Sequence, residues 1–230
     1  MLNFWLAILI FLITYVYIVV EKYHRAITVW VAATVVVVLG LINQEQAIEH
    51  IDFNTILLLI GMMVIVGITR KSGIFEYLAI KAAKLVNGQP IALLVVLAVI
   101  MAVTSAFLDN VTAVLLIVPI TYALTDRLDI SPMPFLFTEI IASNIGGTAT
   151  LIGDPPNIMI GSATGLGFAD FLANMALPAI VVLVVTTICL VGIYRKDLVA
   201  EEDKIESLMT IDEMHYIQEW LLLKKSLAVL

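Results

Sequence analysis

The chain has 230 residues, of which 62% are hydrophobic and 13% charged, with a mean hydropathy of +1.08. Soluble domains sit near a quarter charged and about half apolar, so a soluble enzyme is excluded and an all-α integral membrane protein is expected. The formal net charge of −7 is mostly local, since Arg195 to Glu219 holds eight acids against three bases. No region is basic enough to bind nucleic acid. Cys189, the single cysteine, cannot build a disulfide framework, and His24, His50 and His215 have no metal-ligand spacing.

A spanning helix needs about 20 mostly apolar residues. Leu2–Val20 meets this without a charge, and Met1–Asn3 lacks the basic region of a signal peptide. Ile27–Ile42 and Phe53–Thr69 are the next spans. Ile74–Val86 interleaves Glu76, Lys81 and Lys84 with Phe75, Leu78, Ala82 and Leu85, a pattern that predicts an amphipathic helix along the interface. Ile91–Leu124 as one helix would be about 50 Å long at 1.5 Å per residue. It must therefore fold back at Leu108–Val111, as a hairpin that enters from one side and returns there. Whether its tip stops at mid-membrane or emerges is not decided by hydropathy. A broken span around Phe135–Gly161 and a last span, Leu177–Tyr194, complete the unit.

Lys22 and Arg25, Arg70 and Lys71, Arg127, and Arg195 and Lys196 alternate with a loop, Asn43–Asp52, that has neither lysine nor arginine. Putting the basic loops in the cytoplasm places the amino terminus outside. Five spans lie outside the hairpin, and tandem duplication of an odd-numbered unit gives an inverted second copy, as in many secondary transporters. Near the other end, Thr210 and Glu213 have capping-box spacing ahead of a helical pattern over Met214–Leu223. Ser226–Leu230 reads as the start of another span, so the chain is expected to be one half of a longer protein.

The segment IIASNIGGTATLIGDPPNIMIG, Ile140–Gly161, sets glycines, threonines, an aspartate and two prolines between apolar runs. Lipid cannot satisfy an open backbone, so such a stretch must be buried in protein or line a wet cavity. Pro155 and Pro156 lack N–H groups and free the carbonyls of Leu151 and Ile152. Two half-helices, roughly Phe135–Ile145 and Asn157–Ser162, are expected, their dipole poles meeting at the loop. Free carbonyls, the Thr148 and Thr150 hydroxyls and Asp154 suit a small cation, while Asn144 and Asn157 suit an ion or a polar substrate. At the hairpin tip, SAFLDNVTAVLLIVPI (Ser105–Ile120) repeats the pattern with Asp109, Asn110 and Thr112, and Asp109 or Asn110 is also a natural cap for the returning helix. Glu139 is expected to be an interfacial, snorkelled carboxylate.

These two motifs resemble the arsenite permease / sodium–proton antiporter (ArsB/NhaD) branch of the ion transporter superfamily, which also holds sodium-coupled dicarboxylate transporters and the melanosomal P protein. The resemblance implies five spans with a re-entrant hairpin and one broken helix, forming one repeat of a secondary transporter that is a homodimer when intact. It implies scaffold-type spans over 1–87 and a transport-type unit over 88–196 (hairpin 90–125, broken helix 134–165, last span 177–194). An acidic cytoplasmic linker over 197–216 and the start of the second repeat over 217–230 would follow. It also implies an ion site that joins Ser105, Asp109, Asn110 and Thr112 to Asn144, Gly147, Thr148, Thr150, Asp154 and Asn157. Na⁺ would lie at Asp109, Asn110, Thr150 and Asp154, with Na⁺ or H⁺ as the coupling ion and no other cofactor.

Two departures bear on the substrate. The dicarboxylate transporters carry Ser-Asn-Thr where this chain has Asp109, Asn110 and Val111, and threonine where it has Asp154. Two added carboxylates repel a dianion, which favours cation/proton antiport or proton-linked export over dicarboxylate uptake in the plasma membrane. An unaccompanied half is expected not to transport. An intramembrane aspartyl protease would also pair Asp109 with Asp154, but Leu151 and Leu108 replace its glycine and tyrosine. A non-transporting membrane subunit is the third class.

Overall fold

The computed structural model describes residues 2–209, so the features expected at Thr210–Leu230 lie outside the described residues. The described chain forms eleven helices and no strand. They fall into two compact units, Met1–Phe53 and Asn54–Leu230.

In the first unit, α1 (Leu2–Val20) and α2 (Arg25–Val38) pack together, and Arg25 pairs with Glu21 at the turn between them. The Asn43–Asp52 loop contains a short helix, α3 (Gln44–Glu49). Its cause is a capping box: the Gln46 amide donates to Asn43 Oδ1 at 2.8 Å, and the Asn43 amide donates to Gln46 Oε1 at 3.0 Å.

The second unit runs α4 (Phe53–Arg70), α5 (Ile74–Leu85), α6 (Pro90–Phe107), α7 (Asn110–Leu128), α8 (Met133–Thr148), α9 (Pro155–Thr164), α10 (Phe168–Tyr194) and α11 (Glu202–Met209). Among the described residues five stretches are long and apolar enough to cross a membrane: α1, 44–69, α6, α7 and α10. α2, with 14 residues, is shorter, and α8 and α9, with 16 and 10, are the halves of the broken span. The hairpin reverses at Leu108–Asp109, and each arm is about 27 Å long at 1.5 Å per residue. The last helix begins at Phe168, well before Leu177, because the Gly167 amide donates to Asp170 Oδ2 at 2.8 Å and starts it there.

The core lies between the hairpin and α8. Leu93, Leu94, Leu97 and Met101 on α6, Ile117, Leu124 and Leu128 on α7, and Phe135 on α8 are all buried. α5 lays Ile80, Ala82 and Ala83 against the arms, with Leu78 and Leu85 exposed. α11 lies within the stretch expected to be a linker. Its Leu208 is fully buried against α7, and Ile205 closes on Gly88, whose φ of +64° suits a residue without a side chain.

The most extensive packing joins α6 to α8, through small residues that allow close approach of backbones. A side chain at Gly146 would overlap the backbone of Ala102, whereas Gly192 on α10 has open space around it. Gly146→Val is therefore expected to destabilise the fold by about 1–3 kcal/mol or more, and Gly192→Val to leave the detergent melting midpoint nearly unchanged. Thermal unfolding of both variants beside the wild type checks this.

Candidate functional site

The break in the second unit covers Ala149–Asp154, between α8 and α9. The hairpin tip lies directly against it, tied by side chains that reach across in both directions. The Ser105 hydroxyl on α6 donates to the carbonyl of Ser143 on α8 at 2.7 Å. The Thr150 hydroxyl in the break donates to the carbonyl of Ala106 and accepts from the Gly153 amide at 3.1 Å. Ala106 is in the last turn of α6, where carbonyls lack helical partners, so the break completes the end of the hairpin arm. Asn157 closes the loop on itself, donating to the carbonyls of Gly147 at 3.2 Å and Thr150 at 2.8 Å. Gly147 and Gly153 face each other so closely that a Cβ on Gly153 would stand 2.6 Å from the Gly147 oxygen and 2.8 Å from that of Ser105.

The ten residues expected at the site therefore divide by task. Ser105, Thr150 and Asn157 bond to backbone, and Gly147 supplies an acceptor and clearance. Thr148 turns its hydroxyl back to the Ile145 carbonyl at 2.7 Å and is exposed. The others form a polar cluster at the tip. Asp109 caps α7, accepting from the Thr112 amide at 2.9 Å and from the Thr112 hydroxyl. Capping and ion binding compete little, because a carboxylate has four lone-pair sites. Asn110 Nδ2 donates to Asn144 Oδ1 at 3.1 Å, bridging hairpin and broken helix. Asp154 stands at the cap position of α9 but makes no side-chain cap bond there. Asp109 is near enough to act on it electrostatically. Two partly buried carboxylates thus lie within electrostatic reach of each other at the tip, where Asn110 and Asn144 are bonded across the gap.

The second half-helix bears on the sign of the ligand. A helix N-terminus ordinarily offers free amides to an anion. Here the first two positions are Pro155 and Pro156, which have none, and the amides of Asn157 and Ile158 both donate to the Asp154 carbonyl. The end that would cradle an anion is closed. Among the described residues no hydrogen bond reaches the carbonyls of Leu151 and Ile152.

Glu139 corrects the sequence expectation. It is buried rather than interfacial, 1% exposed, and accepts at Oε1 from the Thr121 hydroxyl of α7, while Oε2 has no partner. Neither its burial nor the role of Thr121 emerged from the sequence reading. The signal was the helical repeat: Phe135, Thr138, Glu139, Ala142, Ser143 and Gly146 form one face of α8, the face that the glycines commit to the hairpin.

A helical unit with five stretches able to cross a membrane, a hairpin docked on a broken helix and polar groups gathered where they meet has the architecture of a multi-pass membrane protein. A family model described as citrate transporter (CitMHS) matches residues 15–230, and the chain belongs to that family. It is 41% identical over 230 residues to a "46 kDa membrane protein" of Mycobacterium leprae, covering 98% of this chain and 54% of that one. It is 42% identical over 228 residues to an uncharacterized transporter of Mycobacterium tuberculosis, covering 97% and 53%. The "P protein" of Homo sapiens is 41% identical over 181 residues, or 74% of this chain and 22% of that protein. The chain thus spans about half the length of the mycobacterial relatives. The family description and the name of the Mycobacterium tuberculosis relative both say transporter.

The Thr150 tie gives a structural test. Thr150→Val strands the Ala106 carbonyl and the Gly153 amide and is expected to cost about 1–3 kcal/mol, whereas Thr150→Ser keeps the hydroxyl. Faster amide exchange at Gly153 in the valine variant alone checks it.

Proposed function

We propose that this chain is one repeat of an ion-coupled secondary transporter, and that its coupling cation, Na⁺ or H⁺, binds between the hairpin tip and the break. The observation that carries this is that Asp109 at the hairpin tip and Asp154 at the break lie within electrostatic reach of each other, where Asn110 bonds to Asn144 across the same gap. A carboxylate at membrane depth costs a few kcal/mol or more unless a proton or cation joins it, and two within electrostatic reach raise that cost. The closed amide end of α9 supports the same sign of ligand. Asp109, Asn110, Thr150 and Asp154 are the Na⁺ ligands in this reading. Thr150 would use a lone pair left over from its two backbone bonds.

The transported species is read in two ways. Cation/proton antiport, or proton-linked export of a weakly charged solute such as arsenite, follows from the excess of carboxylate. The citrate transporter description of the family supports an organic anion instead. A polyanion next to Asp109 and Asp154 requires the cation to bind first, so in that case substrate affinity depends on Na⁺ or H⁺. The remaining parts of the proposal are an inverted second repeat, a homodimer in the plasma membrane, basic loops in the cytoplasm and the amino terminus outside.

The test uses everted vesicles containing the full-length protein that carries this sequence, as wild type and Asp154→Asn, with a preformed pH gradient. Na⁺, arsenite and citrate are added separately. Collapse of the gradient by any of them, reduced at least tenfold in the variant, is the expected outcome. A response that Asp154→Asn leaves intact sinks the site, and silence to all three sinks the coupling.

A further inference from the structure

We propose that Glu139 is a second proton-binding site, separate from Asp109 and Asp154, and that its proton holds α7 and α8 together. Glu139 lies on the packed face of α8, 1% exposed, with the Thr121 hydroxyl on Oε1 and nothing on Oε2. A buried charge needs a counter-ion or several donors, and the elements packed against α8 supply neither. α6 has no titratable side chain over Pro90–Phe107. On α7, Tyr122, Asp126 and Arg127 are exposed. On α10, Asp170 and Cys189 are exposed, and Tyr194 lines a cavity at the start of α8 with Met133 and Pro134.

The other hydroxyls on these faces donate to backbone and not to Oε2. Thr125 donates to the Thr121 carbonyl at 2.9 Å, Thr138 to that of Pro134 at 2.7 Å, and Ser143 to that of Ile140 at 2.9 Å. A proton on Oε2 is the ligand this environment accommodates. Thr121 makes no hydrogen bond to its own helix through its hydroxyl in the described structure; it spends it on Glu139, linking the returning arm to the broken helix. Loss of the proton would put a charge at that contact, so deprotonation and separation of α7 from α8 are coupled. This contribution to transport rests on the reading above, whereas protonation itself does not.

The experiment is infrared spectroscopy of the full chain in lipid, with carboxyl-labelled ¹³C-glutamate, so that no substitution is needed to see the group. Surface glutamates are ionised at pH 7, so an isotope-shifted carboxylic-acid C=O band at that pH reports the buried one. The band is expected in wild type, is expected to persist in Asp109→Asn/Asp154→Asn, to move in frequency in Thr121→Val and to vanish in Glu139→Gln. No band in folded wild type at pH 7, or a band that Glu139→Gln leaves in place, overturns the assignment. In vesicles that transport, Glu139→Gln is expected to flatten the pH dependence of flux while leaving some flux. An unchanged pH profile beside a positive infrared result overturns the coupling role alone.

Discussion

Everything in the second unit depends on how the open backbone of Ala149–Asp154 is satisfied away from water. A stretch of open backbone would be intolerable against lipid, and the molecule answers with side chains from both sides of the gap. Ser105 bonds a carbonyl of the broken helix, and Thr150 bonds a carbonyl at the end of the hairpin arm. Because the ties run in both directions, neither the hairpin end nor the break is complete without the other. The two elements are tied as one structural piece, and the polar groups gathered between them follow from the need to pair backbone.

That need also explains the small residues. Hydroxyl-to-carbonyl bonds of 2.7 Å between two helices demand backbones in near contact, and Ala102, Ser105 and Ala106 on α6 meet Ala142, Ser143, Gly146 and Gly147 on α8. With lipid as apolar as leucine, burial of large side chains gives little net drive, and close packing with cross-helix bonds carries the association. The larger apolar residues, Leu93, Leu97 and Phe135, fill the unit farther from the tip.

Much of this was legible in the residues, for identifiable reasons. Apolar run length marked α1 exactly as built, from Leu2 to Val20, and the prolines and glycines marked the break within a few residues. Length alone forced the hairpin, and Asp109 announced the cap it provides. What escaped were features set by contact rather than composition. α3 needed the reciprocal bonds of Asn43 and Gln46, and α11, rich in acids, reads as solvated until Leu208 is seen buried. Glu139 was misread because hydropathy treats a carboxylate near a helix end as a surface group. The position of its helical face relative to Gly146 outweighs that rule. Among the site residues, the sequence named the polar groups but not their division of labour: it could not tell that Thr150 serves the backbone while Asp154 is left without a cap bond.

That division matters for chemistry. The Ser105 and Thr150 hydroxyls spend their protons on backbone across the gap, whereas the carboxylates of Asp109 and Asp154 keep free lone pairs at partial exposure. Two prolines remove the amides that would favour an anion at α9, and the carbonyls of Leu151 and Ile152 add negative potential to the same loop. The break thus has a sign, which comes from which backbone groups were left over after the hairpin was tied. An anion crossing such a place must bring or follow positive charge. Under the proposed coupling, binding of the cation before an anion would then be a consequence of electrostatics at the tip and not a separate property of the substrate.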